Sequence, residues 1–160
     1  EQYCFDNEIT HLDLPPNYAM LLEFDRLYNL KRLVLGGENV SHELFIKLCS
    51  KAFLFINEYG PTEATVTALL SINQNQIGRP INNTQAYILD NDLAVVPIGA
   101  VGELYIGGSG LARGYLNLPE LSQEKFISNP FQTEEESQQN INGRLYKTGD
   151  LVRYMSDGTI

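Results

Sequence analysis

The chain of 160 residues contains no tryptophan and only two cysteines, two histidines and two methionines. Cys4 and Cys49 lie far apart without a Cys-x-x-Cys pair, which argues for reduced thiols in a cytoplasmic protein. His11 and His42 have no metal-ligand spacing with them, so no zinc site is expected. No apolar run approaches the roughly 20 residues that cross a bilayer, and no basic segment precedes an apolar one, so no membrane partner is expected. Cations are also scarce: 11 Lys and Arg stand against 20 Asp and Glu, for a net charge of −9. A chain this acidic is a poor general binder of nucleic acid, because phosphate neutralisation needs clustered cations. Any nucleotide must be held locally, by loops and a metal. The chain starts without Met and stops at Asp157-Gly158-Thr159-Ile160, a turn leading into a strand, and so reads as an excised piece.

What is present is an ordinary globular composition, 43% hydrophobic and 19% charged. The length suffices for one good core and allows a boundary between subdomains. Up to about residue 72, strands alternate with helical patterns. Ile9 to Leu14 reads as a strand. Pro15-Pro16 opens a helix carrying Tyr18, Leu21, Leu22 and Phe24. Leu30 to Leu35 is a strand ended by Gly36-Gly37, and Ser41 caps a helix with Leu44, Phe45 and Leu48 along one face. The apolar run Ala52-Phe53-Leu54-Phe55-Ile56 is a buried strand. Such alternation predicts an α/β fold, a partial parallel sheet with flanking helices. After Gly78-Arg79-Pro80 the segments become β-like: Thr84 to Leu89, Gly102 to Ile106 and Leu151 to Tyr154, with one helix from Pro119 to Phe126. We therefore expect an α/β portion over 1–78 and a small β-rich, barrel-like subdomain over 79–160. The acidic stretch Gln132 to Gly143 reads as a solvated loop.

Chemistry concentrates in Asn57-Glu58-Tyr59-Gly60-Pro61-Thr62-Glu63, which follows the strand from Ala52. Ligands of open α/β sheets sit beyond the carboxyl ends of the strands, where this loop is expected. Tyr59 offers a flat face for a base, Thr62 a hydroxyl for a phosphate oxygen, and Glu63 a hard oxygen for a magnesium ion. The bland alternative is a strand-to-helix connection with Thr62 as N-cap of a helix into Ala64-Thr65-Val66. Gly36-Gly37-Glu38 ends a neighbouring strand, and glycines there let a flat ligand approach the backbone; a tight turn is the alternative. Gly107-Gly108-Ser109-Gly110-Leu111-Ala112-Arg113-Gly114 lacks the spacing of a dinucleotide fingerprint, and spacing alone gives Arg113 either a loop partner or a bound ligand. In Tyr146-Lys147-Thr148-Gly149-Asp150, the carboxylate can accept two ribose hydroxyls, or it can serve an Asx turn at a strand start. Asp13 and Glu58, both near sheet ends, would together suit a cationic ligand.

Taken together, Asn57 to Glu63, Gly102-Glu103-Leu104-Tyr105-Ile106-Gly107-Gly108, Gly110-Leu111-Ala112-Arg113-Gly114-Tyr115, Pro119-Glu120-Leu121 and Tyr146 to Arg153 resemble, in order, the motifs of nonribosomal peptide synthetase adenylation domains. These belong to the adenylate-forming superfamily, and the likeness runs from about Ile9 to Ile160. It implies an ATP-dependent ligase that joins an amino acid carboxylate to AMP, then passes the acyl group to the phosphopantetheine of a carrier domain. ATP and Mg2+ are the implied cofactors; carrier and condensation domains of the same synthetase are the implied partners.

By motif, Tyr59 would stack on adenine, Asn57 would bond its amino edge, and Gly36, Gly37 and Glu38 would lie along the purine. Glu58 and Gly60 complete that nucleotide wall. Thr62 and Glu63 would be the catalytic pair, on phosphate and magnesium, and Asp150 would hold the ribose. The side-chain pocket would be lined by Asp13, Val34, Gly36, Glu58, Val66 and Thr67. The family usually has a small or neutral residue where Glu58 stands, so Asp13 and Glu58 together suggest a basic amino acid. The phosphate-binding loop would lie upstream, and the hinge and small C-terminal domain downstream. This part of the large N-terminal region is therefore expected to be inactive alone. An acyl- or aryl-CoA synthetase of the same superfamily is the rival reading, and a non-catalytic remnant or interaction module the rival of another class.

Overall fold

The computed structural model describes all residues 1–160. The chain divides into two compact units, Glu1–Tyr59 with Leu69–Gly78, and Gly60–Ala68 with Arg79–Ile160.

The first unit holds helix α1 (Gln2–Asp6), strand β1 (His11–Leu14), α2 (Pro16–Met20), a 3-10 turn at Phe24–Arg26, β2 (Arg32–Leu35), α3 (His42–Cys49), β3 (Leu54–Tyr59) and β4 (Leu69–Ile72). Its strands run in the order β1-β2-β3-β4, the first three parallel and β4 antiparallel to β3. Parallel neighbours need crossovers, which α2 and α3 supply. At the start of α3, Ser41 Oγ accepts from the Leu44 N–H at 3.1 Å, satisfying a donor that the helix cannot, for about 1 kcal/mol. Leu44 and Leu48, one turn apart, bury against Leu33, Leu35 and Phe55. Alternation along the strands therefore gives the sheet a core face, while Asp13, Val34, Ile56 and Glu58 take the other.

Two expected elements differ here. The helix expected to reach Phe24 stops at Met20, because Lys47 Nζ donates to the carbonyls of Met20 (3.2 Å) and Leu22 (2.7 Å), which a further turn would use. The strand expected to end at Ile56 continues to Tyr59, so Asn57, Glu58 and Tyr59 lie on a strand and not in a loop. The pairings Asn57 with Ser71, Glu58 with Leu70 and Tyr59 with Leu69 extend it.

The second unit begins with a 3-10 turn at Thr62–Ala64 and continues through β5 (Arg79–Pro80), β6 (Thr84–Leu89), β7 (Val101–Gly108), α4 (Pro119–Lys125), β8 (Phe126–Ser128), α5 (Glu134–Gln138) and β9 (Arg144–Arg153). Its antiparallel sheet has the order β6-β7-β9-β8. Leu89, Tyr105 and Leu145 form a buried cluster backed by the stacked rings of Tyr87 and Phe131, 4.7 Å between centroids. The stretch 132–143 is not wholly loop: α5 forms inside it. Thr133 and Glu136 make a reciprocal capping box, which holds the turn without an apolar face. No helix in either unit is long and apolar enough to cross a membrane.

Candidate functional site

In the first unit the residues of interest gather at the carboxyl ends of β2 and β3. Parallel register sets Asp13 beside Val34 and Val34 beside Ile56, and Gly36 and Glu58 lie two residues further on the same face. Four expected pocket residues, Asp13, Val34, Gly36 and Glu58, thus share the sheet face opposite the core. Glu58 fills the space that a side chain at position 36 would need: a Cβ on Gly36 would meet its Cγ and Oε1 at 2.7 Å. Gly37 has φ of +82°, and nothing stands within 4 Å of where its Cβ would be, which leaves the backbone open to a flat ligand. Asn57 is buried, and its Nδ2 donates to the carbonyls of Gln76 (3.0 Å) and Asn75 (3.4 Å). That pair of bonds orients the amide and leaves Oδ1 as the edge for an incoming donor.

In the second unit, Gly60–Ala68 folds tightly on itself. A Cβ on Gly60 would meet the Val66 carbonyl at 2.2 Å, so only glycine fits. The helix of the alternative reading, capped by Thr62, does not form: Pro61 takes the cap position of a short 3-10 turn without a side-chain bond, and Thr65 and Val66 have φ of +59° and +66°. Long-range bonds hold this shape instead. Thr65 Oγ1 donates to the Gly110 carbonyl at 2.6 Å, and the Ala112 N–H donates to the Glu63 carbonyl at 2.8 Å. Thr62 is left exposed next to Glu63.

Two phenols converge on the Glu63 carboxylate. Tyr115 Oη donates to its Oε1 at 2.5 Å, and Tyr146 Oη stands 3.4 Å from Tyr115 Oη. Burial opposes ionisation of Glu63, but bonds from Tyr115 and Tyr146 and the charge of Lys125 outweigh it and hold the pKa below the ordinary 4.5. Burial, then the bond to Glu63, pushes the Tyr115 phenol well above its ordinary 10, so Tyr115 stays a donor. Arg144 anchors the chain that carries Tyr115: its guanidinium donates to the carbonyls of Ala112 and Arg113, each at 2.9 Å, and lies over the Phe126 ring.

Asp150 sits within β9 and not at a strand start. Glu103 pairs with Leu151 and Tyr105 with Lys147, so residues 148–150 oppose the single residue Leu104. This bulge turns at Gly149, φ +85°. Glu103 Oε1 accepts the Gly149 N–H at 2.9 Å, while Thr148 Oγ1 donates to the Leu104 carbonyl at 2.8 Å and accepts from the Asp150 N–H at 3.0 Å. Tyr115, Tyr146 and Glu103 were not singled out as site residues from sequence. Both tyrosines close or open recognisable motifs, but nothing local announces a partner 52 residues upstream.

The donor set fits magnesium in a particular way. No group of three or more His, Cys, Asp or Glu converges to hold a metal. Magnesium in phosphate-handling sites, however, takes one or two carboxylates and completes its shell with substrate phosphates and water. Glu63, kept ionised with Oε1 occupied and an exposed hydroxyl beside it, matches that lesser requirement.

Comparison with known proteins identifies the family. Residues 4–116 match the family model described as AMP-binding enzyme. Bacitracin synthase 3 of Bacillus licheniformis is 50% identical over 154 residues, covering 94% of this chain and 2% of that protein. Tyrocidine synthase 1 of Brevibacillus parabrevis is 42% identical over 168 residues, covering 100% of this chain and 15% of that protein. Among solved structures, the Klebsiella oxytoca NpsA N-terminal subdomain in complex with 3-hydroxyanthranilyl-AMSN superposes with a TM-score of 0.84 at 25% identity, over 99% of this chain and 40% of that one. The chain therefore spans less than half of each.

Proposed function

Because the chain belongs to the AMP-binding enzyme family, we propose that it is part of an adenylation domain that activates an amino acid as its aminoacyl-AMP. The observation that carries the reading is the end of the β2–β3 ladder, where Leu35 pairs with Asn57 and Gly36 lies against Glu58, so that Gly36-Gly37 and Asn57-Glu58-Tyr59 come together at the carboxyl ends of adjacent parallel strands. A purine fits such a place, with Oδ1 of Asn57 accepting from its amino group and the ring of Tyr59 against its face. The amino acid carboxylate attacks the α-phosphorus of ATP, a C–O–P linkage forms, and the bond to the bridging oxygen breaks to release pyrophosphate. Thr62 donates to a phosphate oxygen, Glu63 supplies the carboxylate for the metal, and Asp150 accepts from the ribose hydroxyls. The metal, when bound, neutralises charge on the phosphates. Positioning and electrostatics are what such a step asks of a protein. Names such as bacitracin synthase and tyrocidine synthase favour the peptide-synthetase branch over a CoA ligase, and transfer to a carrier-domain phosphopantetheine follows from that.

For the substrate, Asp13 and Glu58 on one sheet face favour a basic side chain. Two strand spacings of about 4.8 Å separate β1 from β3, room for an extended chain ending in an ammonium or guanidinium. The test is amino-acid-dependent ATP–pyrophosphate exchange by the intact protein across a panel of amino acids. Lysine, arginine or ornithine should support exchange, and Glu58→Ala should reduce it far more for these than for neutral amino acids. Equal losses would remove the basic-substrate reading, and no exchange with any amino acid would remove the activity.

A further inference from the structure

Three phenolic and carboxyl groups from distant parts of the second unit meet at Glu63, and the adenylation reading gives a role to only one. Glu63 comes from the 3-10 turn, Tyr115 from the segment before α4, and Tyr146 from β9. Tyr115 Oη lies 2.5 Å from Glu63 Oε1, a charge-assisted bond, and its ring packs edge-on against Phe126 at 5.8 Å. Tyr146 Oη, 3.4 Å behind it, belongs to a ring that also packs on Phe126, at 5.1 Å. The Ala112 N–H on the Glu63 carbonyl and the Arg144 fork on the carbonyls of Ala112 and Arg113 fix main chain on both sides of this bond. Tyr115 makes the closer bond to the Glu63 carboxylate, and Tyr146 is its second phenolic partner.

We infer that Tyr115 is a positioning residue for the metal: it occupies Oε1 of Glu63, so that the carboxylate offers Oε2 as a single oriented ligand to the magnesium of MgATP, with Tyr146 steadying the phenol. An unrestrained carboxylate can rotate or bind through both oxygens. One with an oxygen tied to a rigid phenol meets the octahedral geometry that magnesium demands with one ligand in one direction. Two further features fit positioning better than packing alone. The apolar contacts of the Tyr115 ring need no hydroxyl, yet the hydroxyl makes the shortest side-chain bond around the site. Tyr146 Oη, 3.4 Å from Tyr115 Oη, holds that hydroxyl from a second direction.

This inference rests on the proposed role of Glu63, and the experiment separates the two. Affinity for ATP is measured by direct titration of the intact protein, with Mg2+ and again with EDTA, for the wild type, E63Q, Y115F and Y146F; the ratio of the two dissociation constants is the readout. The wild type should bind ATP more tightly with Mg2+, and E63Q should abolish the gain. Y115F keeps its ring and should weaken the gain by about tenfold, the lower end for residues that orient metal ligands. Y146F should weaken it less. In pyrophosphate exchange, Y115F should raise the Mg2+ requirement and recover near-wild-type rate at high Mg2+, which a merely structural lesion would not do. If E63Q keeps the full gain, Glu63 is no metal ligand and both readings fall. If E63Q loses it while Y115F and Y146F keep it, only the positioning role falls. Should Y115F not fold, as judged by circular dichroism, Y146F alone decides by the same criterion.

Discussion

The two units place the residues of the proposed site by different means. In the first, Gly36, Gly37, Asn57, Glu58 and Tyr59 are where they are because parallel strands end there, and side chains yield to one another: Glu58 simply occupies the space that Gly36 leaves. In the second, Glu63 and Asp150 depend on irregular backbone, a tight excursion and a bulge, each pinned by side-chain bonds to residues about 45 to 50 positions away. Regular structure delivers residues cheaply and tolerates change. Irregular structure aims them more finely and leaves fewer substitutions open.

The sharpest way to break this comparison is to add one methyl group in each unit. Gly60→Ala sets a Cβ against backbone, the Val66 carbonyl, and should destabilise the protein by about 3 kcal/mol or more. Gly36→Ala meets first the side chain of Glu58, which can move, and should cost under about 1.5 kcal/mol while displacing that carboxylate. Urea denaturation of both variants decides; equal losses would erase the distinction. A smaller effect tests the bulge. Glu103→Ala strips the Gly149 N–H of its acceptor and should cost about 1 kcal/mol, while Glu103→Gln, whose Oε1 still accepts, should recover most of it. Equal losses in the two variants would show that the carboxylate charge, near Lys147 at 3.6 Å, matters more than the bond.

The smallest expected effect concerns acid. Hydrogen bonds from the Thr133 N–H and then from Asn142 hold the Glu136 pKa below its ordinary 4.5. A carboxylate depressed in the folded state contributes stability above its ordinary pKa and loses it as pH falls through the depressed value. The wild type should therefore lose more stability than Glu136→Gln over that descent, and their thermal midpoints should converge at the acid end. Parallel curves would mean that the capping box adds nothing linked to charge.

Much of the regular structure was legible. The strand Thr84–Leu89 carries the residues read as a β-like segment, and α3 begins where Ser41 promised a cap. Strand and helix alternation announced the parallel strands, and motif order announced the family. What escaped was set by distant partners. The strand through Asn57 to Tyr59 is completed by β4, whose pairing no local pattern reveals. The turn after Thr62 is shaped by Thr65 reaching Gly110, and α5 forms with polar residues alone, so hydrophobic periodicity passed over it. Glu63 was legible as an acid worth noticing. Its dependence on Tyr115 was not, because a hydrogen bond across 52 residues leaves no trace in spacing.

Val66 carries a consequence for anyone engineering this chain. It is a β-branched residue at φ +66°, with 68% of its surface exposed, a conformation that asparagine or glycine would adopt with less penalty. A library screened only for heat resistance would drift toward those replacements, and would discard the branched side chain that the expected amino-acid pocket uses. If Val66 lines the proposed pocket, durability and substrate choice compete for the same codon.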